Sequence, residues 1–317
     1  MSETWQDHVM AAPPERPLRN VPIFRTVGQA LSMMFGNLGS LLRAAAFPAL
    51  LSLLIGLAQW YFLPPEMRGL LLEEGASLDG AEVELQAFHW SQGLGVLSVV
   101  PYVFFAVAWH RVLLMGPEAG RPALLPAWKT RHWVFLGYLV VTAIIFLAVM
   151  SVPGILMGMG SIGITKILGQ EQLAGQGAAG LVVGLGVLLM VVVGLSLWLR
   201  LTLVLPARAV DERFGLKHAW RIGRGQGWRL LVINFLMTII SLFVAMIAAI
   251  PLVLALYVPA ALIWGFTTEA SFFVGSLSQV FLGYPITALF VGVLSIAFRT
   301  VSGWVPSAQN PGPPAPA

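Results

Sequence analysis

The chain has 317 residues, of which 58% are hydrophobic and 10% charged, with a mean hydropathy of +0.84. Soluble domains carry about 25% charged residues, so a soluble globular fold is excluded and an all-α integral membrane protein is implied. The net charge of +4 and pI near 9.8 invite a nucleic-acid reading, which the placement of the charges along the chain removes.

Residues 1–20 are polar and Pro-containing and are expected to form a disordered N-terminal tail. A helical stripe follows: Val27, Leu31, Met34 and Leu38 recur at helical spacing, with Arg25, Gln29, Ser32 and Asn37 between them. That pattern predicts a short amphipathic helix at a membrane interface. Six apolar runs then follow, at about 41–63, 93–115, 133–158, 180–206, 230–264 and 275–298. Each is about as long as the ~20 residues a helix needs to cross the hydrocarbon. The fifth is too long for one straight span, and Pro251 and Pro259 are expected to break it into a span and an interfacial or re-entrant piece. Residues 302–317 end in AQNPGPPAPA, a Pro-rich tail expected to be disordered.

Charge orients the spans. The first, third and fifth connections hold only Arg68 and Lys166 as cations, with eight acids: Glu66, Glu73, Glu74, Asp79, Glu82, Glu84, Glu171 and Glu269. The other sixteen Lys and Arg lie in the N-terminal segment, the second and fourth connections and the C-terminal end. Cationic loops stay on the cytoplasmic side. The expected protein is therefore a multi-pass protein of a bacterial inner membrane with both termini cytoplasmic, and its basic pI reports topology.

A phrase recurs at the ends of the even-numbered runs. Trp109-x-Arg111-x5-Pro117 and Trp198-x-Arg200-x5-Pro206 share three identities at the same spacing, and Phe298-Arg299 followed by Pro306 is a looser third copy. The entrance Ala30-Leu31…Gly36-Asn37…Leu41-Leu42 aligns without a gap on Ala219-Trp220…Gly225-Gln226…Leu230-Leu231. The transmembrane domain, 21–301, is thus expected to hold three tandem hairpins, at about 21–117, 120–206 and 209–300, each preceded by a short amphipathic interfacial helix.

The candidate functional residues follow from that repeat. Arg111, Arg200 and Arg299, with Arg221 and Arg224, are candidate contacts for lipid phosphate, since long cationic side chains near a span's end reach for headgroups. Trp109, Trp198, Trp220 and Trp228 are candidate interfacial anchors. The plainer alternative is that all of these merely fix topology. The deep polar residues are neutral, among them Asn234 and Gln279, and such side chains are expected to bond between helices.

No catalytic pattern is present. The five histidines are scattered, and no HExxH, G-x-S-x-G or phosphate-binding Gly-Lys-Ser/Thr loop occurs. The absence of cysteine excludes disulfides, thiolate metal sites and a Cys nucleophile. No cofactor, no metal site and no enzymatic activity are expected. The spans also lack the carboxylate that ion-coupled transport usually requires.

Arg200-Leu-Thr-Leu-Val-Leu-Pro206, running into Leu216-Lys-His-Ala219-Trp220-Arg221 and Gly225-Gln-Gly-Trp228-Arg-Leu-Leu231, resembles a pattern in uncharacterised bacterial six-span inner-membrane proteins. It is similar also to the membrane domain attached to some glycerophosphodiester phosphodiesterases. The likeness is good over roughly 190–235 and elsewhere rests on topology, and it carries no catalysis because no soluble hydrolase domain is present. It implies a lipid-related or envelope role. The expected function is a non-enzymatic, lipid-interacting or scaffold module in envelope homeostasis, with membrane phospholipids as partners, a homo-oligomer or membrane-protein partner compatible with it, and no nucleic acid. The alternative is a channel or transporter for a small or lipid-like solute.

Overall fold

The computed structural model describes residues 20–62, 93, 95–120, 127–168, 177–264 and 268–306. The acidic residues of the first outer connection, Glu171, residues 1–19 and residues 307–317 lie outside these. Within the described residues the secondary structure is helical and contains no strand.

The helices are α1 (Ile23–Gly36), α2 (Leu38–Phe62), α3 (Val99–Met115), α4 (Thr130–Leu168), α5 (Gly177–Leu201), the short α6 (Val204–Ala209) and α7 (Leu216–Ile222), α8 (Gly227–Trp264) and α9 (Thr268–Ser302). Six segments are long and apolar enough to cross a membrane: Leu38–Tyr61, Gly95–Met115, Thr130–Ser151, Gly184–Ala209, Gly227–Ala260 and Val274–Ser302. Helix is the only open structure that satisfies every backbone group without water, which is why such apolar runs fold this way.

Sequence chemistry sets the helix ends. Gly116 (φ 99°) and Gly303 (φ 65°) stop α3 and α9 in a left-handed turn that disfavours other residues, and their N–H groups donate to the Val112 and Arg299 carbonyls. At the end of α5 the interruption comes from Pro206, which has no N–H for the Thr202 carbonyl. The Leu205 N–H donates to that carbonyl instead, at 3.0 Å, and the chain tightens between α5 and α6.

Pro251 and Pro259 do not break the fifth span. Both lie inside one continuous helix, α8, of 38 residues. A single missing N–H bends a helix without ending it when the flanking residues, here Leu, Val, Ala and Tyr, keep helical geometry. At ~1.5 Å per residue α8 is about 57 Å long, and α4 and α9 are comparable. All three exceed a hydrocarbon core of ~30 Å. Far from the main core, Ala260 on α8 and Val274 on α9 make a small second cluster with Leu256 and Tyr257.

Consecutive helices pack as α2 on α3, α4 on α5 and α8 on α9. Further contacts link α5 to α8, α3 to α4, α3 to α9 and α2 to α9. The centre is the α3/α9 pair, drawn from opposite ends of the sequence. Half of the α3 span is buried and 44% of the α9 span, against 6% for α8. Between lipid-bathed helices there is little hydrophobic drive, so close packing and interhelical hydrogen bonds must hold the bundle. The α3/α9 seam has both. The Trp109 indole donates to the Ala288 carbonyl at 3.0 Å, and the Phe105 and Tyr284 rings meet edge-on at 4.9 Å. His110 Nδ1 and Ser295 Oγ are 2.7 Å apart. Ser295 donates its own proton to the Val291 carbonyl, so it accepts from His110, which places the imidazole proton on Nδ1. On the other side Ser52 of α2 shares a hydrogen bond of 2.8 Å with Tyr284.

Two expectations change here. Trp109 is not an interfacial anchor: it is 1% exposed, because its N–H finds a carbonyl within the bundle. Among the described residues Asn234 makes no bond across helices; its amide donates to the Leu230 carbonyl of its own helix. Gln279 is exposed. The outward faces remain apolar, with Leu242, Ile247, Ile250 and Leu262 all 65–82% exposed on α8, as a lipid-facing surface requires.

α1 buries Val27, Ala30 and Met34, packs on α8 and α9, and leaves Phe24 and Phe35 exposed. Ahead of it, Val21 is fully buried. Its N–H donates to Gln226 Oε1 at 3.0 Å and its carbonyl accepts from Arg229 at 3.2 Å. Gln226 also donates to Asn20 Oδ1. The entry of the chain is thus fastened to the start of α8.

Candidate functional site

The segments rich in cations meet at one end of the bundle: α1, the ends of α3, α5 and α9, the starts of α2, α4 and α8, and the connection carrying α6 and α7. Among the described residues this basic end carries thirteen Lys and Arg against three acids, Glu118, Asp211 and Glu212. The three repeated arginines stand in different surroundings there.

Arg111 is tied to protein. It donates to the Ala119 carbonyl at 3.3 Å, and its Nη1 donates to the Ala209 carbonyl and to Asp211 Oδ2, both at 3.2 Å. Arg131, at the start of α4, reaches the same carboxylate oxygen at 3.0 Å. Asp211 therefore joins the end of α3, the start of α4 and the connection after α6. It adopts φ 64°, a conformation that Asp and Asn tolerate better than most residues. Next to it, Glu212 accepts from the Trp304 indole at 2.8 Å, drawing in the chain after α9. One carboxylate facing two guanidiniums leaves a net positive charge. Arg208, close by in sequence, stacks over the Tyr138 ring at 4.6 Å and donates to its hydroxyl at 2.8 Å.

Replacing Asp211 with asparagine keeps the backbone conformation accessible and removes the shared anion. The expected loss is about 1 kcal/mol, since the carboxylate is half exposed and such pairs are partly screened. The loss should shrink in 1 M salt. Thermal unfolding of the detergent-solubilised protein at low and high salt checks this, and an unchanged low-salt midpoint would mean that the two bridges contribute nothing.

Arg200 is placed otherwise. Its guanidinium lies over the Trp220 ring, 5.5 Å from the centroid. Its stem presses on the turn between α7 and α8: a Cβ on Gly223 would sit 3.0 Å from Arg200 Cβ, and one on Gly227 would sit 2.6 Å from Arg200 Nε. That Nε is buried without a hydrogen-bond partner. Among the described residues no acid pairs with Arg200.

Arg299 is exposed, and the ring of its neighbour Phe298 packs on Phe214 and Trp304. Arg221 and Arg224 are exposed on α7 and in the following turn. Arg221 donates to His218 Nδ1 at 3.2 Å. Burial first, and the Arg221 charge second, hold the His218 pKa below its ordinary value. His218 is therefore neutral at pH 7 and adds nothing to the cationic field. Trp220 and Trp228 are 40% and 54% exposed, and Arg229 stacks on Trp228 at 5.2 Å. Trp198 is half-buried against Phe146.

Sequence reasoning missed Asp211, Arg131, and the Gln226 and Arg229 clamp. The available signal was scarcity, because an acid within a strongly cationic connection is a natural partner for the repeated arginines. Comparison with protein-family models finds no match, and no curated protein or solved structure matches the chain.

Proposed function

We propose that this chain is a non-enzymatic multi-pass protein of a bacterial inner membrane, with both termini cytoplasmic, whose basic end engages anionic phospholipid as a lipid-interacting or scaffold module. One observation carries the reading: thirteen cations against three acids at one end of a bundle of six membrane-length apolar helices. Such an end lies naturally against the anionic headgroups of the cytoplasmic leaflet, where each Lys or Arg contributes about 1 kcal/mol of attraction. The packing of consecutive helices in pairs favours three tandem hairpins, with α1 and α7 as their membrane-surface helices.

The purified protein is expected to keep phosphatidylglycerol in preference to phosphatidylcholine through native mass spectrometry. Retention should fall when Arg221, Arg224 and Arg299, all exposed and away from the packed core, are changed together to glutamine. Equal retention of the two lipids would overturn the proposal. So would solute flux into proteoliposomes that protein-free vesicles lack, which would favour a channel instead.

A further inference from the structure

We infer that Arg200 and Trp220 form a discrete clamp for the phosphate of one glycerophospholipid, whose acyl chains run along the exposed face of α5 above Arg200. This rests on the lipid-binding reading and gives it a place and a stoichiometry.

Arg200 differs from Arg111 in having no anion. Arg111 is consumed by Asp211 and two carbonyls, whereas no hydrogen bond or ion pair engages Arg200 among the described residues. Yet its side chain is held in place. Trp220 lies under the guanidinium, and Gly223 and Gly227 leave room for its stem. The Nε is closed off without a partner, and the half-buried side chain keeps part of the fork accessible. A planar, pre-positioned guanidinium is suited to phosphate oxygens, and the exposed Arg221 and Arg224 add to the local positive potential.

The face of α5 above this clamp fits a lipid tail. Helical spacing puts Ser196, Val193, Leu189 and Leu185 in one column over Arg200; Ser196 packs on Gly227 of α8, and the column is open from Val193 upward. Val193, Leu189 and Leu185 are 49%, 64% and 63% exposed, and every one is apolar. From residue 200 to residue 185 the column rises about 22 Å at ~1.5 Å per residue. A leaflet's hydrocarbon is ~15 Å deep. A phosphate at Arg200 therefore places its acyl chains beside the open stretch from Val193 to Leu185, about 12 Å at ~1.5 Å per residue. Inorganic phosphate would use the clamp alone and gain nothing from the column.

Native mass spectrometry of the full chain, titrated with dioleoyl phosphatidylglycerol, tests this. The wild type is expected to hold one lipid more tightly than the rest. In Arg200→Gln that first affinity should fall about fivefold, and Arg200→Lys should restore part of it. If Arg200→Gln keeps full first-site affinity while the triple variant of Arg221, Arg224 and Arg299 loses lipid, the clamp is wrong and the broader reading stands. If neither variant loses lipid, both fail. If inorganic phosphate or glycerophosphoglycerol displaces the lipid at concentrations matching the lipid's own affinity, the clamp binds phosphate and the tail column is overturned. Thermal unfolding of each variant shows whether it is folded, and the Lys variant separates lost charge from lost structure.

Discussion

Trp109→Ala is expected to cost about 3–5 kcal/mol, the largest effect of any single change considered for this chain. Three losses combine in it. The indole is 1% exposed at the centre of the α3/α9 seam, so its removal opens a cavity that two long helices cannot easily close. The Phe105 ring, stacked on it at 6.5 Å, loses its support. The Ala288 carbonyl loses its donor. Trp109→Phe separates these contributions: it keeps a ring in place and removes the hydrogen bond, so a loss of about 1 kcal/mol is expected. Thermal unfolding in a mild detergent, followed by size-exclusion chromatography, reads both variants. An exposed tryptophan at a membrane surface would give a small effect for either change. An alanine variant as stable as the parent would therefore return Trp109 to the interface.

The second large effect is expected at Gly227, where α8 begins. An alanine Cβ there would meet Ser196 Oγ, would lie 2.7 Å from the Ser196 carbonyl oxygen and 2.6 Å from Arg200 Nε. A carbonyl within α5 cannot withdraw unless the whole helix shifts. Alanine's better helix propensity offsets less than ~1 kcal/mol of that, and overpacking of this kind typically costs about 1–3 kcal/mol. A net loss of about 1–2 kcal/mol follows, and Arg200 should be displaced from Trp220. Gly194 provides the contrast. A Cβ there would overlap Met150 Cε, but that methyl ends a flexible side chain and can swing aside. Gly194→Ala should therefore be the milder change, and a ranking in the opposite order would show that α5 and α8 approach less closely than described. Adding Ser196→Ala to Gly227→Ala should recover only part of the loss, since the carbonyl remains.

The limits of the sequence are clearest in the pair Trp109 and Trp198, identical in their local phrase. Composition and run length were enough to predict six membrane-length helices, because lipid leaves the backbone no choice but internal hydrogen bonds. What a single sequence does not reveal is which helices far apart in the chain become neighbours. Trp109 meets α9 through a carbonyl 179 residues away, and nothing within its own run distinguishes it from a tryptophan facing headgroups. Arg111 and Arg200 show the same limit. Their local spacing is the same, yet one meets Asp211 and the other Trp220, because the loops that return to them differ. Pro251 and Pro259 misled in the other direction. Proline carries a strong local signal, but a long helix braced by a neighbour absorbs two missing hydrogen bonds.

The fastening of Val21 to Gln226 has a consequence in time. The two residues are 205 apart, and a ribosome adds roughly 5–20 residues per second, so Val21 waits about 10–40 s for its partner to be synthesised. The Trp109 indole must likewise wait for α9. During that interval the early spans sit in the bilayer with their best hydrogen-bonding face open, and the bundle matures from its periphery toward its middle. The amino-terminal latch can close once the start of α8 has been made, before α9 exists, so it precedes the assembly of the α3/α9 seam.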